Sequence, residues 1–164
     1  MILRWEISAA IEAADFTPAV LPDLDRLTWQ PVDVEPQGFV LLNRYREAPG
    51  RDVPTDSTGA VLIDSVMTGK VAGSRIVYAR ATIRAAHDEI RRMQYTYNNG
   101  AVIYLNGRPL ALAMNPSGVR GPLGVMAHAG DAVYLPLKQG ENQLVFAVIA
   151  LTGGWAFSAR LEDR

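Results

Sequence analysis

The sequence predicts an all-β fold, a sandwich or barrel of short antiparallel strands with a proline-rich segment wrapping it near the N-terminus. Three observations carry this. Strand-length segments recur from residue 60 onward with turn signals between them. Two of the connections have hairpin chemistry, Asn106-Gly107 and Lys138-Gln139-Gly140-Glu141. Helical periodicity is weak throughout, and no fixed-period repeat points to a propeller or solenoid.

In chain order, residues 7–14 are alanine-rich and form the best helical candidate, one or two turns long. Residues 16–36 carry Pro18, Pro22, Pro31 and Pro36, a density that excludes a long helix or a central strand. An extended wrapping segment is expected there, with Trp29 plugging the edge of the core and Trp5 also a core plug. Residues 46–59 contain Pro49-Gly50 and Pro54 and read as a loop excursion. Strands are expected over 60–66, 75–83, 89–97, 101–105, 108–113, 131–137 and 142–151. Within the last of these, Leu144 to Ile149 is apolar on both faces. That strand should be central, covered by the second sheet on one side and by a loop or wrapping segment on the other. The final strand alternates cleanly, with Trp155, Phe157, Ala159 and Leu161 on one face and Ser158, Arg160 and Glu162 on the other.

The 164 residues fit one domain, 1–164, with 49% hydrophobic and 20% charged residues, ordinary for a soluble protein. A formal net charge of -1 leaves no basic field for nucleic acid. Cysteine is absent, which excludes disulfides and thiolate chemistry. The N-terminus lacks the basic segment and apolar run of a signal peptide, and no stretch approaches the roughly 20 apolar residues of a membrane span. The expected location is cytoplasmic as the chain stands, or secreted if a leader was removed. No membrane partner is expected.

Catalytic signatures are sparse. No Gly-x-Ser-x-Gly elbow, P-loop or dinucleotide fingerprint is present, and Gly153-Gly154 precedes a strand rather than a phosphate-binding helix. Of the two histidines, His87 reads as a turn residue. His128 lies in the long 115–130 connection, three residues before Asp131. A His–carboxylate pair in a cleft can act as general acid and base, and a loop histidine beside an incidental aspartate is the plainer reading. Two histidines without regularly spaced carboxylates do not make a transition-metal site.

The C-terminal half resembles galactose-binding-like jelly rolls, the accessory sandwich domains of β-glycosidases and many carbohydrate-binding modules. The likeness rests on Val102-Ile103-Tyr104-Leu105-Asn106-Gly107-Arg108-Pro109-Leu110, similar to that family's Leu-Asn-Gly hairpin, and on Leu137-Lys138-Gln139-Gly140-Glu141-Asn142-Gln143-Leu144, similar to its Leu-x-x-Gly-x-Asn-x-Leu hairpin. The closing strand from Gly153 to Leu161 follows in the family's order. The resemblance covers residues 75–164 and implies an antiparallel jelly-roll β-sandwich. It also implies a non-catalytic module binding carbohydrate or a related small molecule through loops at one end. No cofactor is required, although the family often carries a structural calcium, for which Asp15, Asp23, Asp25, Asp52, Asp56 and Asp64 are available.

Sugar binding needs an aromatic platform and planar polar side chains. The candidates are Tyr97, Asn98, Asn99, Asn115, Arg120 and Trp155. Trp155 shares its strand face with Phe157 and Leu161, which favours core packing. Asn98-Asn99-Gly100 stands where many family members carry an aspartate, a departure that weakens the transfer of a ligand contact there. The 111–127 connection is aliphatic, with Arg120 as its lone charge. It is either a lid or the wall of a pocket for a more apolar ligand, with Met114 and Met126 as its adaptable surface. Two alternatives therefore stand beside the binding module. One is an enzyme such as a lyase, isomerase or cyclase using His128, Asp131 and Arg120. The other is a structural or self-association module, for instance a homodimer.

Overall fold

The computed structural model describes residues 3–12, 15–47, 74–114, 131–150 and 154–163. In these the chain forms β1 (Trp5–Ile7), β2 (Ile11–Glu12), β3 (Gln30–Val32), β4 (Phe39–Leu41), β5 (Arg75–Ala85), β6 (Glu89–Tyr97), β7 (Gly100–Leu105), β8 (Arg108–Met114), β9 (Asp131–Leu137), β10 (Gly140–Ala150) and β11 (Ala156–Leu161). They pair into two antiparallel sheets facing one another. The seven-stranded sheet runs β3-β1-β5-β10-β7-β8, with β2 also on β5, and the four-stranded sheet runs β4-β11-β6-β9. This is the expected antiparallel β-sandwich. The expected strand at 60–66, and all but the first two residues of the 46–59 excursion, lie outside the described residues.

Both hairpins form where their turn residues place them. Asn106 and Gly107 adopt positive φ angles of 50° and 79°, the conformation a two-residue β7–β8 turn needs. Gly140, at φ 96°, starts β10 after the second turn. Asn142 locks that turn from inside. Its Oδ1 accepts from the Lys138 N–H and from Asn106 Nδ2, each at 2.9 Å, and its Nδ2 donates to the Lys138 carbonyl at 2.7 Å. One buried amide thus ties the two hairpins together, and it stands at the asparagine of the motif quoted above.

Strand β10 is central, hydrogen-bonded to β5 on one side and β7 on the other. Its Leu144, Phe146 and Val148 enter the core between the sheets, where Trp5 meets Phe146 and Phe157 edge-on at 5.3 and 5.0 Å. Its other face, Val145, Ala147 and Ile149, joins a second apolar cluster with Phe16, Leu24, Ile76, Tyr78, Val102 and Tyr104. Residues 16–29 cover that face as a strap. Leu24 lies in a short 3-10 turn, Leu24–Arg26, capped by Asp23, and Tyr104 donates its hydroxyl to the Pro18 carbonyl at 2.7 Å. The apolar character of both faces of β10 has this double cover as its cause.

Among the described residues 7–12, the helix expected over 7–14 is not formed. Ile7 pairs with Ala79 and Ile11 with Ile76 along the free edge of β5. Between them Ser8 donates its N–H to the Tyr78 carbonyl at 2.8 Å and accepts the Tyr78 N–H on Oγ at 3.0 Å. A helix of two turns has too few internal hydrogen bonds to offset its nucleation, whereas the sheet edge offers partners immediately. Trp29 is half-buried at the rim of the strap rather than in the main core.

Candidate functional site

The candidate residues do not gather into one cluster. Asn115, Arg120 and His128 lie outside the described residues. Tyr97 faces the core between the sheets, and Asn99 is also buried. Trp155 is 0% exposed, its Nε1 donating to the Val148 carbonyl at 3.2 Å and its backbone N–H to Asn43 Oδ1 at 2.6 Å. With both aromatics inside, neither offers a free ring to a ligand. Asn98 is half-exposed at the end of the sandwich where β6 turns into β7, with its side chain against Gly154. Asp131 opens β9 opposite Tyr95.

His87 is exposed in the turn between β5 and β6, at the opposite end from Asn98, with Nε2 3.9 Å from Glu89. Of the aspartates available to calcium, Asp52, Asp56 and Asp64 lie outside the described residues. Asp23 is engaged in capping the 3-10 turn and in an ion pair with Arg26. Among the described residues no group of three or more histidines or carboxylates is drawn together in a way that could hold a metal ion.

The open face of the four-stranded sheet carries a more complete arrangement. In β9, Val133, Leu135 and Leu137 point toward the core, so the pleat turns Tyr134 outward, and it is 64% exposed. Its cross-strand neighbour on β6 is Arg92, which forms an ion pair with Glu162. One step along the same face Gln94 stands between Ala132 and Arg160, and a further step brings Thr96 beside Ser158. Ile90 and Pro136, a paired couple, extend the row past Tyr134 in the other direction, with Ile90 74% exposed.

Alternate residues on a strand are about 6.8 Å apart, so Tyr134, Arg92, Gln94, Arg160 and Ser158 form a continuous track, an aromatic ring followed by guanidinium, amide and hydroxyl groups. Thr96 is 1% exposed, and its Oγ1 is buried without a hydrogen-bond partner among the described residues. Such an orphaned hydroxyl costs free energy, and because it is covered it offers nothing to a ligand on the open face. Asn98, half-exposed, lies beyond the covered Thr96 at the loop end.

Tyr134 and its neighbours are absent from the residues singled out from sequence. The signal was available in Val133-Tyr134-Leu135-Pro136-Leu137, since placing the aliphatic residues inside leaves tyrosine outside.

No protein-family model and no curated protein matches the sequence. Solved structures with a similar fold include two of the β-glucosidase from Kluyveromyces marxianus. The selenomethionine-labelled form matches at TM-score 0.52 and 11% identity over 98% of this chain, and the complex with glucose at TM-score 0.51 and 13% identity over 99%. A β-glycosidase from Bacteroides vulgatus matches at TM-score 0.48 and 10% identity, over 98% of this chain and 20% of that one. This chain spans 16% of the length of the β-glucosidase. The likeness is one of fold alone, a β-sandwich shared with part of the β-glucosidase, in agreement with the fold that the resemblance over residues 75–164 implies.

Proposed function

We propose that the protein is a non-catalytic carbohydrate-binding module, with its ligand lying along the open face of the four-stranded sheet and reaching the loop end at Asn98. The observation that carries this reading is the exposed ring of Tyr134, aligned on one face with Arg92, Gln94 and Arg160. A tyrosine face supplies a flat apolar surface for the C–H side of a sugar ring. Guanidinium and amide groups present paired, planar donors and acceptors that suit vicinal hydroxyls. The fold of the K. marxianus β-glucosidase, solved with glucose, supports a carbohydrate setting for this architecture.

Of the residues expected at the loop end, Asn98 fits this placement. Titration calorimetry against a panel of neutral and acidic glycans, with and without calcium, tests the reading. Binding of at least one glycan, weakened about tenfold or more by Tyr134→Ala, is expected. Silence across the panel, or an affinity indifferent to Tyr134→Ala, would overturn it.

A further inference from the structure

The outer face of the seven-stranded sheet is only half covered by the strap. Beyond Tyr78 on β5 the outward residues become Arg80, Thr82 and Arg84, and before Val145 on β10 they are Gln143 and Glu141. There a groove of about 810 Å3 opens, lined by these side chains and by Arg4 and Glu6.

Arg80 is its fixed point. Its guanidinium carbon lies 4.2 Å from the centroid of the Trp29 ring, and its Nε donates to Glu6 Oε2 at 2.8 Å. The Trp29 ring is itself held by its Nε1 donating to the Leu24 carbonyl at 3.1 Å. The two terminal nitrogens of Arg80 meet no acceptor among the described residues. Arg84, by contrast, directs Nε and Nη2 to Glu141 Oε1 at 3.1 and 2.7 Å. Arg4 is exposed and forms no ion pair among the described residues. Three arginines thus face two glutamates, which leaves one positive charge in the groove of a chain whose formal net charge is -1.

We propose that this groove is a second binding site, on the opposite sheet from Tyr134, for a sugar acid. The ligand carboxylate pairs with the unused edge of Arg80, and Arg4 adds attraction. Hydroxyls are met by Thr82, Gln143 and the second oxygen of Glu141. An ordinary surface ion pair leaves its arginine free to move and is worth little. Here stacking on Trp29 and the bond to Glu6 fix the guanidinium plane beforehand, so its planar fork captures a carboxylate with little further ordering. The choice of a sugar as carrier of the carboxylate rests on the proposed function, whereas recognition of the carboxylate rests on the groove alone.

Backbone amide shift mapping by NMR tests this with three probes: digalacturonate, its neutral counterpart galactobiose, and succinate. Digalacturonate should move the amides of Glu6, Arg80 and Gln143. Its affinity should fall about threefold in Arg4→Ala and about tenfold in Arg80→Lys, which keeps charge but loses the fork. Unchanged urea midpoints establish that both variants remain folded, and Arg4→Ala, an exposed change, carries the test alone should Arg80→Lys unfold. Equal shifts with galactobiose would overturn carboxylate recognition, and succinate binding as tightly as digalacturonate would overturn the sugar assignment. No shifts in the groove, or affinities unchanged in both variants, would overturn the site. Tyr134→Ala should leave these shifts intact, so failure here and failure of the four-stranded face read separately.

Discussion

Truncating Phe16 to alanine probes whether the strap is a structural layer of the sandwich. Phe16 is 1% exposed, and its ring lies 6.4 Å from that of Tyr78, over the outer face of the larger sheet. Removing a fully buried phenylalanine ring costs about 3–5 kcal/mol, a large part of the about 5–15 kcal/mol that stabilises a typical domain. A second signal comes from the tyrosines beneath. Burial pushes the Tyr78 hydroxyl up to about 12, and burial followed by the nearby Tyr78 charge raises Tyr104 as well.

A folded-state value above the unfolded one means the contribution to stability is full below about pH 10. It is then lost as pH rises toward 12, because the unfolded chain ionises first. The wild-type protein should therefore weaken steeply above pH 10. In Phe16→Ala, water reaches Tyr78, its ionisation moves back toward pH 10, and the alkaline loss becomes shallower. Urea unfolding at neutral and alkaline pH, with an absorbance titration of tyrosinate, measures both effects. A stability loss under about 1 kcal/mol together with an unchanged tyrosine titration would refute the strap as a packed layer.

Asn142→Ala leaves the Lys138 N–H and carbonyl without their partner and should cost about 2–4 kcal/mol in urea unfolding, and a loss below about 1 kcal/mol would show the hairpins hold without it. At Gly100 an added Cβ would come within 2.5 Å of Met114 Sδ and 3.2 Å of Ile149 Cδ1. Gly100→Ala should therefore cost about 1–3 kcal/mol, much of it recovered when Met114→Ala is added, as a double-mutant cycle reads directly. The Asp88 carboxyl is held below the usual carboxylate range by the hydrogen bond from Lys138 and then by the Gln139 N–H. Its NMR titration midpoint should rise in Lys138→Ala, and an unmoved midpoint would contradict that pairing.

Legibility in the sequence followed the length of the elements. The long strands β5, β6, β9 and β10 carry alternation or a run apolar on both faces, and their positions, the centrality of β10 and its outer cover could all be read from it. Strands β1 to β4 have two or three residues each, too short to show a period, and they exist because β5 offers an edge to β1 and β2, β1 to β3, and β11 to β4. That tertiary cause is why residues 7–14 read locally as helix. At the candidate site, loop polar residues and tryptophan carry the sugar-binding pattern in the sequence, whereas the aromatics near the loop end are packed inside. Tyr134 lies just ahead of the turn motif at 137–144, and only its place in the pleat marks it as a surface ring. The Arg80–Trp29 pairing, joining residues distant in the chain across the strap and β5, has no sequence signature at all.

The most direct test of the account is to map a bound glycan on the wild-type fold. Amide shifts induced by the tightest ligand of the panel should concentrate on Arg92, Gln94, Thr96 and Asn98 of β6 and its turn, on Tyr134 of β9 and on Ser158 and Arg160 of β11, and they should collapse in Tyr134→Ala. Shifts that leave this face untouched would contradict a carbohydrate site on the four-stranded sheet.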